Sequence, residues 1–203
     1  MIAIINYGAG NLHSVHKAVE YVGGEAVVTS DAQTILSAEK VILPGVGAFQ
    51  DGMEGLDARG LLPVVKQIAE SGRPLLGICL GMQLFFDVSE EQGAHQGLGL
   101  LPGQVLAFTK PGMKIPQIGW NQLEITSNFP LLKNIPNEAY VYFNHSYYCQ
   151  PKNQAHVIAT TDYGSQFASV VLSKNIYGVQ FHPEKSQKVG LQILKNFVEL
   201  ENE

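Results

Sequence analysis

A cysteine between two glycines, GICLG at 77–81, stands where the apolar run of LLGI passes into LGMQLFF. G-x-C-x-G after a buried strand is the thiol form of the nucleophile elbow. The turn from strand to helix is so sharp that the flanking positions must lack side chains or accept unusual dihedrals, and glycine does both. That geometry lifts Cys79 above the sheet, near the positive end of the next helix, where a thiolate is favoured. It also aims the Leu80 N–H at the place where an oxyanion would form. Taken alone, the segment equally fits a small inert cysteine in a glycine-tolerant turn.

A nucleophilic thiol needs a base, and the base needs an orienting acceptor. QFHPEKS at 180–186 holds both. His182 precedes Glu184 by two residues, Pro183 restricts His182 to an extended backbone, and residues two apart in an extended chain share a side. Glu184 can then accept from the imidazole and hold its other nitrogen toward Cys79. PGVG at 44–47 adds the third piece: Gly45 and Gly47 let the N–H groups around Val46 and Gly47 approach a substrate carbonyl and complete an oxyanion hole with Leu80. A peptide flanked by glycines also rotates at small steric cost, so the 46–47 region is free to reorient.

The elements that must position these groups alternate in type over the first half. Strands are expected at 2–5, 26–29, 40–43 and 74–78. Helices are expected at 12–22, capped by Asn11 and stopped by Gly23-Gly24, at 61–71, and at 80–88. This order implies parallel βαβ units: an open, mixed, mainly parallel sheet flanked by helices, flavodoxin-like in class. In the second half, strands at 104–108, 122–126, 140–148, 156–161, 168–173 and 176–181 read as antiparallel additions. A closing helix at 186–199 puts Val189, Ile193, Leu194 and Phe197 on one face. Ligands bind beyond the carboxyl ends of strands in such sheets, so the site is expected among the loops after Ile5, Leu43, Ile78 and Phe181.

The 203 residues fit one domain, 1–203, better than two, with 45% hydrophobic residues for its core. A net charge of −5 without a Lys/Arg cluster argues against nucleic acid. No apolar run has the length of a membrane span, and two cysteines, Cys79 and Cys149, make no disulfide framework. The expectation is a soluble cytoplasmic protein with reduced thiols. GAGN at 8–11 lacks both the dinucleotide and the Walker patterns. His13 and His16 lie three apart but have no third ligand nearby in sequence, so neither metal nor cofactor is expected. Cys149 is read as structural.

Together, PGVG, GICLGMQ at 77–83 and HPEKS at 182–186 resemble the class I, triad-type glutamine amidotransferases over the whole chain. NYGAGN at 6–11, IGWN at 118–121 and YFNHSY at 142–147 are similar in particular to the free-standing glutaminase subunits of imidazole glycerol phosphate synthases. The resemblance implies that Cys79 attacks the side-chain amide of L-glutamine, His182 passes a proton to the departing ammonia, and Glu184 orients His182. It implies that Gln83, Glu91, Ser146 and Tyr147 hold the amino-acid head of glutamine. It also implies that Tyr142 and Lys185, with Asn6, Asn11 and Trp120, face a (β/α)₈-barrel cyclase that uses the ammonia in histidine biosynthesis. Such glutaminases are nearly silent until the partner binds its nucleotide ligand. Three alternatives stay open: the glutaminase subunit of anthranilate, aminodeoxychorismate or guanylate synthesis, a cysteine hydrolase of the same fold, and a non-catalytic binding subunit.

Overall fold

The computed structural model describes residues 1–109 and 112–200. Four short apolar strands open the chain: β1 (Ile2–Ile5), β2 (Ala26–Thr29), β3 (Lys40–Gly45) and β4 (Leu75–Cys79). Between them run α1 (Leu12–Tyr21), α2 (Ala32–Ser37), α3 (Phe49–Asp57) and α4 (Leu62–Glu70). Asn11 caps α1 by accepting from the Ser14 N–H, and Asp31 caps α2 by accepting from Thr34. After the one-turn α5 (Leu80–Gln83), the chain is mostly β: β5 (Phe86–Ser89), β6 (His95–Gln96), β7 (Leu101–Ala107), β8 (Gln117–Gln122), β9 (Glu124–Ile125), β10 (Tyr140–His145), β11 (Tyr147–Pro151), β12 (Val157–Asp162), β13 (Gln166–Ser173) and β14 (Ile176–Val179). Helix α6 (Gln187–Glu199) follows the last strand.

The main sheet runs β2-β1-β3-β4-β14-β13-β12-β9. Its β2-to-β14 half is parallel, and every pairing from β14 outward to β9 is antiparallel. The expected class therefore holds. Pleating sends alternate residues to opposite faces. Ala3, Ile5, Val41 and Leu43 pack beneath Ile35 of α2, Phe49 and Leu56 of α3, and Val65 and Ile68 of α4. Ile2, Ile4, Ile42, Leu76 and Ile78 meet Val15 and Val19 of α1 and Ile193, Leu194 and Phe197 of α6. A sheet buried on both faces explains why these strands read as continuous apolar runs rather than alternating ones.

Three sequence expectations are corrected. The helix expected at 80–88 stops at Gln83, and Phe86 pairs with Leu101 in β5 instead, with Leu84, Phe85 and Phe86 all fully buried. The single strand expected at 140–148 breaks at Ser146: β10 pairs with β8, while β11 joins a separate sheet ordered β11-β7-β5-β6. The second-half strands thus add to the core only in part and also build two small sheets of their own. Helices α2 and α3 were not anticipated.

Candidate active site

The carboxyl ends of β3, β4 and β14 lie side by side: Gly45 pairs with Cys79, and Ile78 with Val179. Cys79 sits at the corner between β4 and α5 at φ 54, ψ −109, a conformation that costs a non-glycine residue about 1–3 kcal/mol. The strained residue is the cysteine, not its neighbours. Gly77 and Gly81 are needed for space: a Cβ at Gly77 would stand 2.5 Å from the Phe85 ring and 2.6 Å from the Met82 nitrogen, and one at Gly81 would run into the Leu43 carbonyl. With only four residues, α5 gives the sulfur little of the helix field expected from sequence.

His182 follows β14 with an extended backbone, φ −98 and ψ 97, and Pro183–Lys185 then forms a 3₁₀ turn. The turn, not a continued strand, carries Glu184 back beneath the imidazole: Nδ1 lies 2.9 Å from Glu184 Oε1, and the two side chains are 2% and 1% exposed. Burial by itself pushes the imidazole down, but Cys79 and Glu184 together outweigh it and push His182 up to about 10. His182 Nε2 is buried and completes no hydrogen bond among the described residues, although Cys79 is close enough to alter its proton affinity. Ser186 locks this turn in place, its Oγ donating to the His182 carbonyl and accepting from the Tyr142 N–H. The His182 N–H in turn donates to the Tyr142 carbonyl.

In front of Cys79 is a cavity of about 210 Å³ lined by Val46, Gly47, Leu80, Gln83, Glu91, Pro116, Asn144, His145, Ser146 and Tyr147. Clefts for drug-sized ligands run to roughly 300–1,000 Å³, so this one suits a molecule of amino-acid size. Every residue expected to bind glutamine or form the oxyanion hole lines it. Gly47 takes φ 112 at its rim. Glu91 Oε2 accepts from the Phe49 N–H at 2.8 Å, tying the start of α3 to the cavity wall. A Cβ on Gly45 would strike the Tyr7 hydroxyl, so the 44–47 loop rests directly on that ring.

Sequence reasoning passed over two buried polar residues beside these. His145 is buried and pushed down to about 4, chiefly by burial. It is therefore neutral, its Nδ1 donating to the Tyr147 carbonyl at 2.7 Å and its Nε2 meeting the Gln117 side-chain amide at 3.0 Å. Gln180, fully buried, stands 3.8 Å from Cys79 Sγ. Both lie within quoted motifs, and a polar residue inside an otherwise apolar strand end was the available signal. Of the remaining candidates, Trp120 and Tyr142 meet edge to face at 6.0 Å on the outer side of the β8–β10 ribbon, with Lys185 Nζ 5.9 Å from the Tyr142 ring. Asn11 is exposed, and Asn6 accepts from the Gly8 N–H, both on the loop after β1. His16 is engaged by the Ala26 carbonyl and Glu20, and both cysteines are free and buried. A larger groove, about 1120 Å³, lies at the amino ends of β4 and β14, away from Cys79.

The family description "Glutamine amidotransferase class-I" matches residues 3–200. The chain belongs to that family. Among class-I amidotransferase relatives, imidazole glycerol phosphate synthase subunit HisH of Chlorobaculum tepidum is 50% identical over 200 residues, covering 98% of this chain and 100% of its own. The subunit of the same name from Syntrophotalea carbinolica is 50% identical over 205 residues, covering 97% and 98%. A crystal structure titled as a glutamine amidotransferase superposes with a TM-score of 0.76 at 16% identity, covering 98% of this chain and 100% of that one. At that identity the likeness speaks for the fold alone.

Proposed function

We propose that this chain is the glutaminase subunit of an imidazole glycerol phosphate synthase, a single cytoplasmic amidotransferase domain that works as a heterodimer with a (β/α)₈-barrel cyclase. The observation that carries the reading is the meeting of Cys79, His182 and Glu184 at one end of a cavity of amino-acid size, in a chain half identical to subunits bearing that name. That no helix among the described residues is long and apolar enough to cross a membrane is compatible with it.

The geometry supports a thioester mechanism. Gln83, Glu91, Ser146 and Tyr147 hold the head of glutamine and leave its amide carbon over Cys79. The thiolate attacks that carbon, and the N–H groups of Leu80 and of the 46–47 loop receive the oxyanion; one such donor is worth about 10²–10³ in turnover. Imidazolium His182 gives its Nε2 proton to the leaving nitrogen, the C–N bond breaks, and ammonia departs. Water then attacks the glutamyl thioester, His182 takes its proton, and the C–S bond breaks to release glutamate and restore the thiolate–imidazolium pair. Glu184 keeps Nδ1 protonated throughout. Ammonia passes to the cyclase docked on the face that carries Trp120, Tyr142 and Lys185, with Asn6 and Asn11 beside it.

The test is glutamate release from glutamine by the chain alone, with a barrel cyclase, and with that cyclase plus its ribonucleotide ligand. Strong stimulation requiring both is expected. Activity indifferent to the cyclase would assign the triad to another synthase, and silence under all three conditions would leave a binding subunit.

A further inference from the structure

Gln180 carries no role so far, yet it is fully buried at the end of the last parallel strand, against the sulfur of Cys79. We propose that Gln180 belongs to the catalytic machinery: its side-chain amide donates to Cys79 Sγ, holds the sulfur as a thiolate in one orientation, and links it to the cavity wall through Gln83. This rests on Cys79 being the nucleophile.

The direction of that contact is set by a chain of groups whose roles admit no exchange. The Tyr147 carbonyl can only accept. It accepts from His145 Nδ1 at 2.7 Å and from Gln83 Nε2 at 3.0 Å, so the end of Gln83 that faces it is the NH₂. The same NH₂ stands 3.2 Å from Gln180, which must present its oxygen there. Gln180 therefore turns its own NH₂ the other way, to Cys79 Sγ at 3.8 Å. The Gln180 backbone is fixed as well, its N–H donating to the Ser169 carbonyl. A fully buried side chain held at both ends delivers one donor to one sulfur.

The other groups around Cys79 show why a donor matters. His182, backed by Glu184, faces the sulfur from the turn after β14, and both neighbours raise its proton affinity. The Asn144 carbonyl, 3.8 Å away on β10, accepts from a thiol and opposes a thiolate. Tyr7 after β1 and Cys149 on β11 feel the sulfur's charge and are pushed further up by it, beyond the larger effect of their burial. Helix α5 is a single turn. Gln180 is thus the neutral donor that offsets the Asn144 carbonyl.

The experiment measures the rate of Cys79 alkylation by iodoacetamide against pH in the full chain, where sulfur displaces iodide only as the thiolate. Gln180→Met keeps the bulk and removes the donor. The midpoint is expected to rise by about one unit, slowing alkylation about tenfold at pH values below the parent's midpoint. Gln180→Glu, of the same shape, sets a carboxylate against the sulfur wherever it is ionised and there should raise the midpoint at least as far. A folded variant with the parent's profile overturns the proposal, because a merely structural residue would change melting temperature without moving the midpoint. Should neither variant fold, the parent decides: the side-chain amide NMR resonances of Gln180 must shift with the same midpoint as alkylation, and resonances that ignore that titration refute the contact. Cys79→Ser separates the two readings. If it retains glutamine hydrolysis, the nucleophile assignment has failed. If it is silent while Gln180→Met alkylates like the parent, only the role of Gln180 has.

Discussion

At the scale of single residues, the charge state of His182 sets the pH behaviour. Its folded value, about 10, lies above the ordinary 6.5. The pair's contribution to stability is therefore fully present below the unfolded value and is lost as pH rises through about 10. On the proposed mechanism the alkaline limb of kcat/KM should fall in the same region. Glu184→Gln removes one of the two groups that hold the proton, so that limb should move to lower pH, with turnover down by about 10²–10⁴; an unmoved limb would take Glu184 out of the orienting role. Cys79→Ser should abolish glutamine hydrolysis while the cyclase still uses added ammonia, and glutaminase persisting in that variant would refute the assignment. These three residues were legible because each sits in a short motif whose spacing has a mechanical reason. Gln180 and His145 were not, because what makes them matter is contact across chain distance: His145 meets Gln117, and Gln180 meets Gln83 and Cys79.

At the scale of elements, the corner at 77–81 depends on volume. Gly81 takes an ordinary backbone conformation, but a Cβ there collides with the Leu43 carbonyl on the neighbouring strand. Gly81→Ala should thus cost about 1–3 kcal/mol or more through overpacking, a fall in melting temperature of at least about 2–4 °C for a chain of this size. A calorimetric scan that matches the parent would mean that β3 yields more readily than its packing implies. The same crowding explains which elements the sequence revealed. Strands β1, β3 and β4 stand out because they are buried on both faces, and α6 because its apolar stripe is clean. Helix α3 was hidden by Gly52 and Gly55, poor helix formers; Gly55 is where a Cβ would be 2.5 Å from the Tyr7 carbonyl. The break at Ser146 was invisible because tyrosines resume directly after Asn144, His145 and Ser146 and only the partner strands change.

At the scale of the whole molecule, the β8–β10 ribbon leaves Ile118, Trp120 and Tyr140 exposed on one side, Ile118 at 59%. Large apolar groups gathered on a surface mark an interaction face, and Lys185 lies at its margin over Tyr142. Lys185→Ala should weaken the cyclase complex and reduce its stimulation while leaving melting temperature nearly unchanged; unaltered affinity and stimulation would remove Lys185 from the interface. The architecture was readable as a whole, since alternating strands and helices leave few topologies. The two small sheets were not, for their pairing is decided by what remains uncovered once the main sheet is built. One join gives this arrangement a practical meaning. Both backbone groups of Tyr142 are committed to the turn that holds His182, one directly and one through Ser186. Two hydrogen-bonded links thus fasten the ribbon to the proton carrier like a double hinge pin, and a load on the outer side of Tyr142 has a direct path to the backbone of His182.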